Sequence, residues 1–331
     1  MLLSLIITAS AQDLESVGSA ATVTDPTNTS TTQAVVGGSE VASGDWPDTA
    51  AVYFGEQVGC TGVLIAPNAV LSAGHCVDGI TAVKLDTNDY QQGGERIAVS
   101  EVIEYPNSQR SYDLAILILE EDSSVEPRVI ARGCALDDVK ESADVTIVGY
   151  GALDPAGWEY DTRMMEGFTT VDDPECTDMS SGCENSISPG GEIGAGGSDE
   201  VDSCYGDSGG PLYLNTDYGD FLIGITSRGY NSSSDCGGGG IYVRPDAVID
   251  WLEENIGESL PMPDCDGDGT PDNSTDGEAD PGTDDPENNN GNNGNNGDSD
   301  EMWVGGCSHA PGSTGWMVVL LALVAPLIRR R

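Results

Sequence analysis

From Thr49 to Val243 the chain alternates short apolar, β-branched runs with clusters of Gly, Asp, Asn and Pro. The runs are Ala51–Phe54, Gly62–Ile65, Ala69–Leu71, Ile97–Ile103, Ala115–Leu119, Val145–Val148, Phe221–Thr226 and Gly240–Val243. Apolar runs this short, bounded by turn residues, predict strands, and their spacing predicts an all-β barrel or sandwich. Helical periodicity is convincing only near the end of this region. There Asp246 is the expected cap, Val248, Ile249, Leu252 and Ile256 share one face, and Gly257 stops the helix.

The flanks read differently. Leu2 to Ile7 followed by Ala9-Ser10-Ala11 has the apolar core and small-residue cleavage site of a signal peptide over residues 1–11, although it lacks a basic n-region. Residues 12–34 are rich in Thr, Ser, Ala and Asp and cannot form a core, which predicts a disordered pro-segment. A folded domain is expected over 35–258, and an acidic disordered linker over 259–303. Pro261 to Trp303 holds thirteen Asp/Glu and no Lys or Arg. A C-terminal tail occupies 304–331.

Charge narrows the partners. A formal net charge of −45 repels nucleic acid and anionic membrane and attracts basic polypeptides. Nine cysteines without a zinc-like Cys-x-x-Cys pair point to an oxidising compartment, with no metal site and no cofactor expected.

The candidate chemistry centres on Asp202-Ser203-Cys204-Tyr205-Gly206-Asp207-Ser208-Gly209-Gly210-Pro211. A serine hydroxyl needs a base to take its proton and donors to hold the oxyanion its attack creates. Gly206 and Gly209 permit a sharp turn that can aim the Gly206 and Ser208 amides at one point, an oxyanion hole. The chain has two histidines, His75 and His309, and His309 lies in the tail, so His75 is the available imidazole base. A disulfide between Cys60 and Cys76 can bracket it. Asp113 leads directly into the apolar run Leu114 to Leu119, so its carboxylate is expected to be buried and to need a partner. The His75 ring N–H would satisfy it and select the tautomer that accepts the Ser208 proton.

Leu71 to Cys76, Asp113 to Leu117 and Gly206 to Pro211, in that order, resemble the three signatures of the trypsin/chymotrypsin family of serine proteases, over about Val35 to Ile256. The resemblance implies two packed antiparallel β-barrels with a C-terminal helix, His75 and Asp113 in the first barrel, Ser208 in the second, and a cleft between them. It implies that Val35, in Val35-Val36-Gly37-Gly38, becomes a new N-terminus whose amine pairs with Asp207 on activation. It places Asp202 at the floor of the specificity pocket, which favours substrate Arg or Lys. Cys204–Cys236 would frame that pocket, Gly229 and Gly240 would leave its mouth and wall open, and Ser227 would support Asp113. Arg228 departs from the family, which usually has tryptophan there. It would either favour acidic substrate residues or shield Asp202 and weaken the Arg/Lys preference. Cys176 and Cys183 could close a small loop, and Cys134 could reach Cys265, leaving Cys307 odd.

Asp264-Cys265-Asp266-Gly267-Asp268-Gly269-Thr270-Pro271-Asp272 resembles a calcium-binding aspartate repeat of the thrombospondin type 3 kind. As a single copy without a clear bidentate Glu, it reads as solvated linker. Cys307, the apolar stretch Trp316 to Ile328 and Arg329-Arg330-Arg331 resemble the sorting tails of myxobacterial surface proteins, with a plain membrane anchor as the alternative. The expectation is an exported, surface-tethered or released serine endopeptidase, made as a zymogen and activated by a separate protease. A protease-like binding module without catalysis and an esterase are the rival readings.

Overall fold

In the computed structural model the described residues are 35–197, 201–230 and 236–266; the expected signal, pro-segment and tail and most of the expected acidic linker lie outside them. Thirteen strands and one α-helix occur among the described residues. Strands β2 (Thr49–Phe54), β3 (Gln57–Ala66), β4 (Ala69–Ser72), β5 (Ala82–Leu85), β6 (Glu95–Glu104) and β7 (Ala115–Leu119) close into an antiparallel barrel in the order β2-β3-β4-β7-β6-β5. The second sheet uses β1 (Ser39–Glu40), β8 (Asp144–Gly149), β9 (Met165–Asp173), β10 (Glu192–Ala195), β11 (Pro211–Thr216), β12 (Gly219–Gly229) and β13 (Gly240–Val243). Its order is β1-β9-β10-β13-β12-β11-β8, and β8 also pairs β9, so six of its strands form the second barrel with β1 outside the ring. Closure removes the unpaired strand edges that an open sheet would expose.

Sequence pattern explains the unequal legibility of the strands. Runs such as Ala69–Ser72 and Gly240–Val243 are buried at every position and therefore read as continuous apolar segments. Five strands, β1, β5, β9, β10 and β11, were not expected from the pattern. β9 (MEGFTTVDD) and β10 (EIGA) carry acids within the strand, and β11 opens on Pro211 directly after two glycines. Each barrel has its own core: Leu64, Val70, Leu85, Ile97 and Leu117 in the first, and Val145, Ile147, Ile193, Leu212 and Tyr242 in the second. A third cluster joins Val63, Leu71 and Ile116 to Tyr213, Leu222, Ile225 and Val243 across the barrel interface. Burying each such Leu or Ile contributes about 1.5–3 kcal/mol, so this interface fixes how the two halves of the cleft face each other.

The terminal helix α1 spans Ile249–Ile256 and follows a 3-10 turn over Pro245–Val248. Gly257 ends it in the left-handed region at φ +86°, its N–H donating to the Glu253 carbonyl. The expected capping role of Asp246 is corrected. The N-cap position of α1 is Val248, without a side-chain cap, and the Asp246 carboxylate instead takes a two-pronged bond from Arg244 at 3.1 and 2.8 Å. Charge pairing with a buried guanidinium outcompetes a neutral amide for that carboxylate.

One polar cluster between the barrels has no counterpart in the sequence-level reading. Asp48 is 1% exposed, accepts from Arg128 Nη2 at 2.6 Å and Nε at 3.0 Å, and accepts from the Tyr213 hydroxyl at 2.6 Å. Arg128 also lies over the Trp46 and Tyr213 rings, which stack on each other with centroids 4.5 Å apart.

Candidate active site

The turn after β4 carries Gly74, His75 and Cys76 as a single 3-10 turn, tied down by the Cys60–Cys76 disulfide. It presents His75 outward while Gly74 and Cys76 are buried. Asp113 stands two residues before β7, and β7 pairs β4, so register brings the two residues together. The Asp113 carboxylate accepts twice from the same residue, at 2.8 Å from the His75 backbone N–H and 2.8 Å from Nδ1. The Ser227 hydroxyl donates to Asp113 Oδ2 at 2.7 Å from the second barrel. Burial pushes the Asp113 carboxyl up, but the hydrogen bonds from His75 and Ser227 outweigh it and hold the pKa below the usual range. The bond to Asp113 raises the His75 imidazole above its ordinary 6.5, against a smaller opposing effect of burial.

Ser208 sits on a turn that only glycine allows at two points. Gly206 has φ +100° and Gly209 φ +82°. A Cβ on Gly209 would lie 2.1 Å from Ser72 Oγ and 2.5 Å from the Thr61 carbonyl. The first barrel therefore clamps the turn, with the Thr61 N–H donating to the Ser208 carbonyl at 2.9 Å and the Thr61 hydroxyl to the Gly206 carbonyl at 2.9 Å. Among the described residues no backbone carbonyl takes up the Gly206 or Ser208 N–H.

Ser208, His75 and Asp202 line one cavity of about 330 Å³, together with Ser227, Arg228, Gly229 and the Cys204–Cys236 disulfide. Asp202 is 2% exposed and accepts from the Gly237 and Gly239 amides at 2.8 and 3.2 Å. Burial raises its pKa, partly offset by these amides. Gly240 lies behind the lining, where a Cβ would come within 3.1 Å of Ser203 Oγ and Tyr242. Tyr205 is half-exposed at the cavity rim, with its ring against Gly157.

Asp207 does not enter the cavity. It is fully buried and accepts from the Gly151 and Cys204 amides at 2.8 and 2.9 Å. Burial pushes its pKa up to about 7. Val35 is also fully buried, at φ +47°, a rare conformation for a β-branched residue. The next residue, Val36, accepts the Asp202 N–H at 3.0 Å, which ties the start of the domain to the pocket floor.

The matched signatures, fold and site geometry are joined by a direct comparison: a family model described as Trypsin matches residues 35–252. The chain belongs to the trypsin family of serine proteases. This protease is 31% identical over 240 residues to human Kallikrein-8, an alignment covering 67% of this chain and 86% of the relative. It is also 31% identical over 235 residues to a trypsin of Saccharopolyspora erythraea, covering 67% of this chain and 98% of that one. Among solved structures, neuropsin, a serine protease expressed in the limbic system of mouse brain, superposes with a TM-score of 0.57 at 26% identity, covering 66% of this chain and 98% of that chain. The protease is thus a serine endopeptidase with the two-barrel chymotrypsin fold. The four disulfides among the described residues, Cys60–Cys76, Cys134–Cys265, Cys176–Cys183 and Cys204–Cys236, fit an oxidising, extracellular compartment.

Arg228 is committed elsewhere than Asp202. Its Nε and Nη2 donate to the Gly182 carbonyl at 3.2 and 2.8 Å, and Nη1 donates to Ser227 Oγ at 3.1 Å. Nη1 also forms an ion pair with Oε1 of the fully buried Glu192 at 2.8 Å, a contact that is not a directed hydrogen bond. Neither Glu192 nor the Gly182 carbonyl was singled out from sequence. An acid inside a four-residue apolar strand was the only available signal.

Proposed function

We propose that this protease is an exported endopeptidase that cleaves after Arg or Lys and is made as a zymogen. The observation that carries the specificity is Asp202, a 2% exposed carboxylate in the cavity shared by Ser208 and His75, to which Arg228 makes no bond among the described residues. A buried carboxylate held by neutral donors, backbone amides and the Ser203 hydroxyl, and by no cation among the described residues gains most from a substrate guanidinium or ammonium. In the reaction His75 Nε2 takes the Ser208 proton as Oγ attacks the scissile carbonyl. Asp113, holding Nδ1–H, orients the ring and stabilises the imidazolium. The Gly206 and Ser208 amides hold the oxyanion. His75 then protonates the leaving amine, and water hydrolyses the acyl-enzyme by the same route in reverse.

Activation follows from charge. The fully buried Asp207 carboxylate is stable as an anion once a cation joins it, and the freed Val35 ammonium is that cation. The first Lys or Arg of the chain is Lys84, so the Ala34–Val35 bond offers no basic residue to a pocket floored by Asp202. A separate protease tolerant of small residues therefore performs the cut. Attachment of the enzyme to the cell surface rests on the sequence of the C-terminal tail. Polypeptides, with a bias to basic ones, are the substrates.

The test is peptide hydrolysis by protein matured at Val35, with Arg, Lys, Ala or Phe preceding the scissile bond. Arg and Lys peptides should dominate, Ser208→Ala should abolish turnover, and Asp202→Ser should lower kcat/KM on Arg and Lys by about a hundredfold or more. Retained Arg/Lys preference in Asp202→Ser would remove Asp202 from specificity, and an inactive matured wild type would favour the binding-module reading.

A further inference from the structure

The contacts of Arg228 form a chain that ends on the catalytic base. Ser227 Oγ has one hydrogen to give. It accepts from Arg228 Nη1 at 3.1 Å, so its lone pair is occupied on that side and its own hydrogen is directed to Asp113 Oδ2 at 2.7 Å. Asp113 in turn holds His75 Nδ1 at 2.8 Å. Arg228 is fixed in place from two other elements. Glu192 on β10 supplies the counter-charge, itself anchored by accepting the Glu184 N–H at 2.7 Å. The Gly182 carbonyl, inside the loop closed by Cys176–Cys183, takes the other two guanidinium nitrogens.

We propose that Arg228 is a positioning residue for the triad: clamped by Glu192 and the 176–183 loop, its guanidinium sets the Ser227 hydroxyl on Asp113 and thereby tunes His75. This rests on the triad assignment given above. A lysine would keep the charge but not the whole clamp, because a single ammonium cannot reach the Ser227 hydroxyl, the Gly182 carbonyl and Glu192 together in one plane. A tryptophan at this position would supply neither the charge nor the donor to Ser227.

The electrostatic consequence has a sign. The two hydrogen bonds place Arg228 Nη1 within about 6 Å of Asp113 Oδ2. A cation there offsets part of the negative field that Asp113 imposes on His75, and Glu192 restores part of it. Among the described residues the other titratable groups around this chain include Tyr230, which lines the same cavity and packs against the Cys176–Cys183 loop, Tyr112, which is under the influence of Glu192, Asp246 and Arg244, and Asp202 across the cavity. Removing Arg228 therefore strengthens the hold of Asp113 on the imidazolium, and removing the Glu192 charge weakens it. With solvent on one side of a half-buried guanidinium, each change is worth about half a pH unit at His75.

The experiment uses the full chain carrying Ser208→Ala to prevent self-digestion and His309→Asn to leave a single imidazole. NMR titration of the His75 ring is compared with the same protein bearing Arg228→Gln, Glu192→Gln or Arg228→Lys. Arg228→Gln should raise the midpoint by about half a pH unit, Glu192→Gln should lower it by a similar amount, and Arg228→Lys should restore most of the wild-type value. Shifts of the same sign in the first two, or none, overturn the proposal. If Arg228→Gln does not fold, Glu192→Gln decides: a His75 midpoint that does not fall overturns the proposal. In matured enzyme with Ser208 and His309 intact, the acid limb of kcat/KM should move in the same two directions. A matured wild type that hydrolyses no peptide counts against the catalytic reading alone, whereas an active wild type whose limb ignores both substitutions counts against Arg228.

Discussion

Replacing Arg128 by Met should destabilise the domain far more than a surface charge change, because it strands a carboxylate rather than removing a contact. Asp48 is 1% exposed and its two oxygens are held by Arg128 at 2.6 and 3.0 Å, with the Tyr213 hydroxyl as the remaining donor. Removing one partner of a buried pair costs about 3–5 kcal/mol, mostly the penalty of an uncompensated charge. For a domain of this size that is about 10 °C in Tm. The double variant Asp48→Leu/Arg128→Met removes both charges, so it should recover most of the loss. Differential scanning calorimetry of the Ser208→Ala background, with and without each of the two variants at one pH, measures each value. The pair also spans the barrel interface, so matured Arg128→Met should show a lower kcat at temperatures where it is still folded, as Ser208 and His75 lose register. A single-variant cost below about 1 kcal/mol would refute the reasoning, as would a double variant no better than Arg128→Met.

Gly209→Ala should abolish activity, because its Cβ would meet Ser72 Oγ at 2.1 Å and φ is +82°; folding yield and Ser208 labelling by a serine-reactive fluorophosphonate check this. Asp207 is pushed up to about 7 from the unfolded 3.8. The unfolded chain thus releases this proton first, and stability of the unprocessed precursor should fall by roughly 4 kcal/mol between about pH 4 and pH 7. Asp207→Asn should flatten that slope in urea titrations, and cleavage before Val35 should abolish it. His75 is raised above 6.5 by its bond to Asp113, so kcat/KM should rise with pH along a limb centred above 6.5. By linkage, the stability this bond contributes is full below pH 6.5 and is lost as pH rises through the folded pKa. Asp113→Asn should remove that contribution and lower kcat by about 10⁴ through the wrong tautomer.

Local chemistry determined much of this protein in advance. His75, Asp113 and Ser208 could be named from sequence because each type is scarce or sits in a local pattern with few uses: the sole imidazole outside the tail, an acid entering an apolar strand, a serine between obligatory glycines. Asp202 and Ser227 then followed from family resemblance, and the structure gathers all five around one cavity or its immediate support. Strands buried on both faces were legible for the same reason, since continuous apolar runs leave one interpretation. What only the tertiary structure decided involves polar groups whose partners are far away along the chain. Asp48 and Arg128 are 80 residues apart, and Glu192 and Arg228 lie on strands that flank β13 and come together only in the assembled second sheet. Composition marks such residues as solvent-facing, and an acid in β9 or β10 masks the strand that carries it. Their burial is settled by whether a counter-charge arrives from another element, because a charge enters the interior only when paired, and pairing is a property of the assembled barrels.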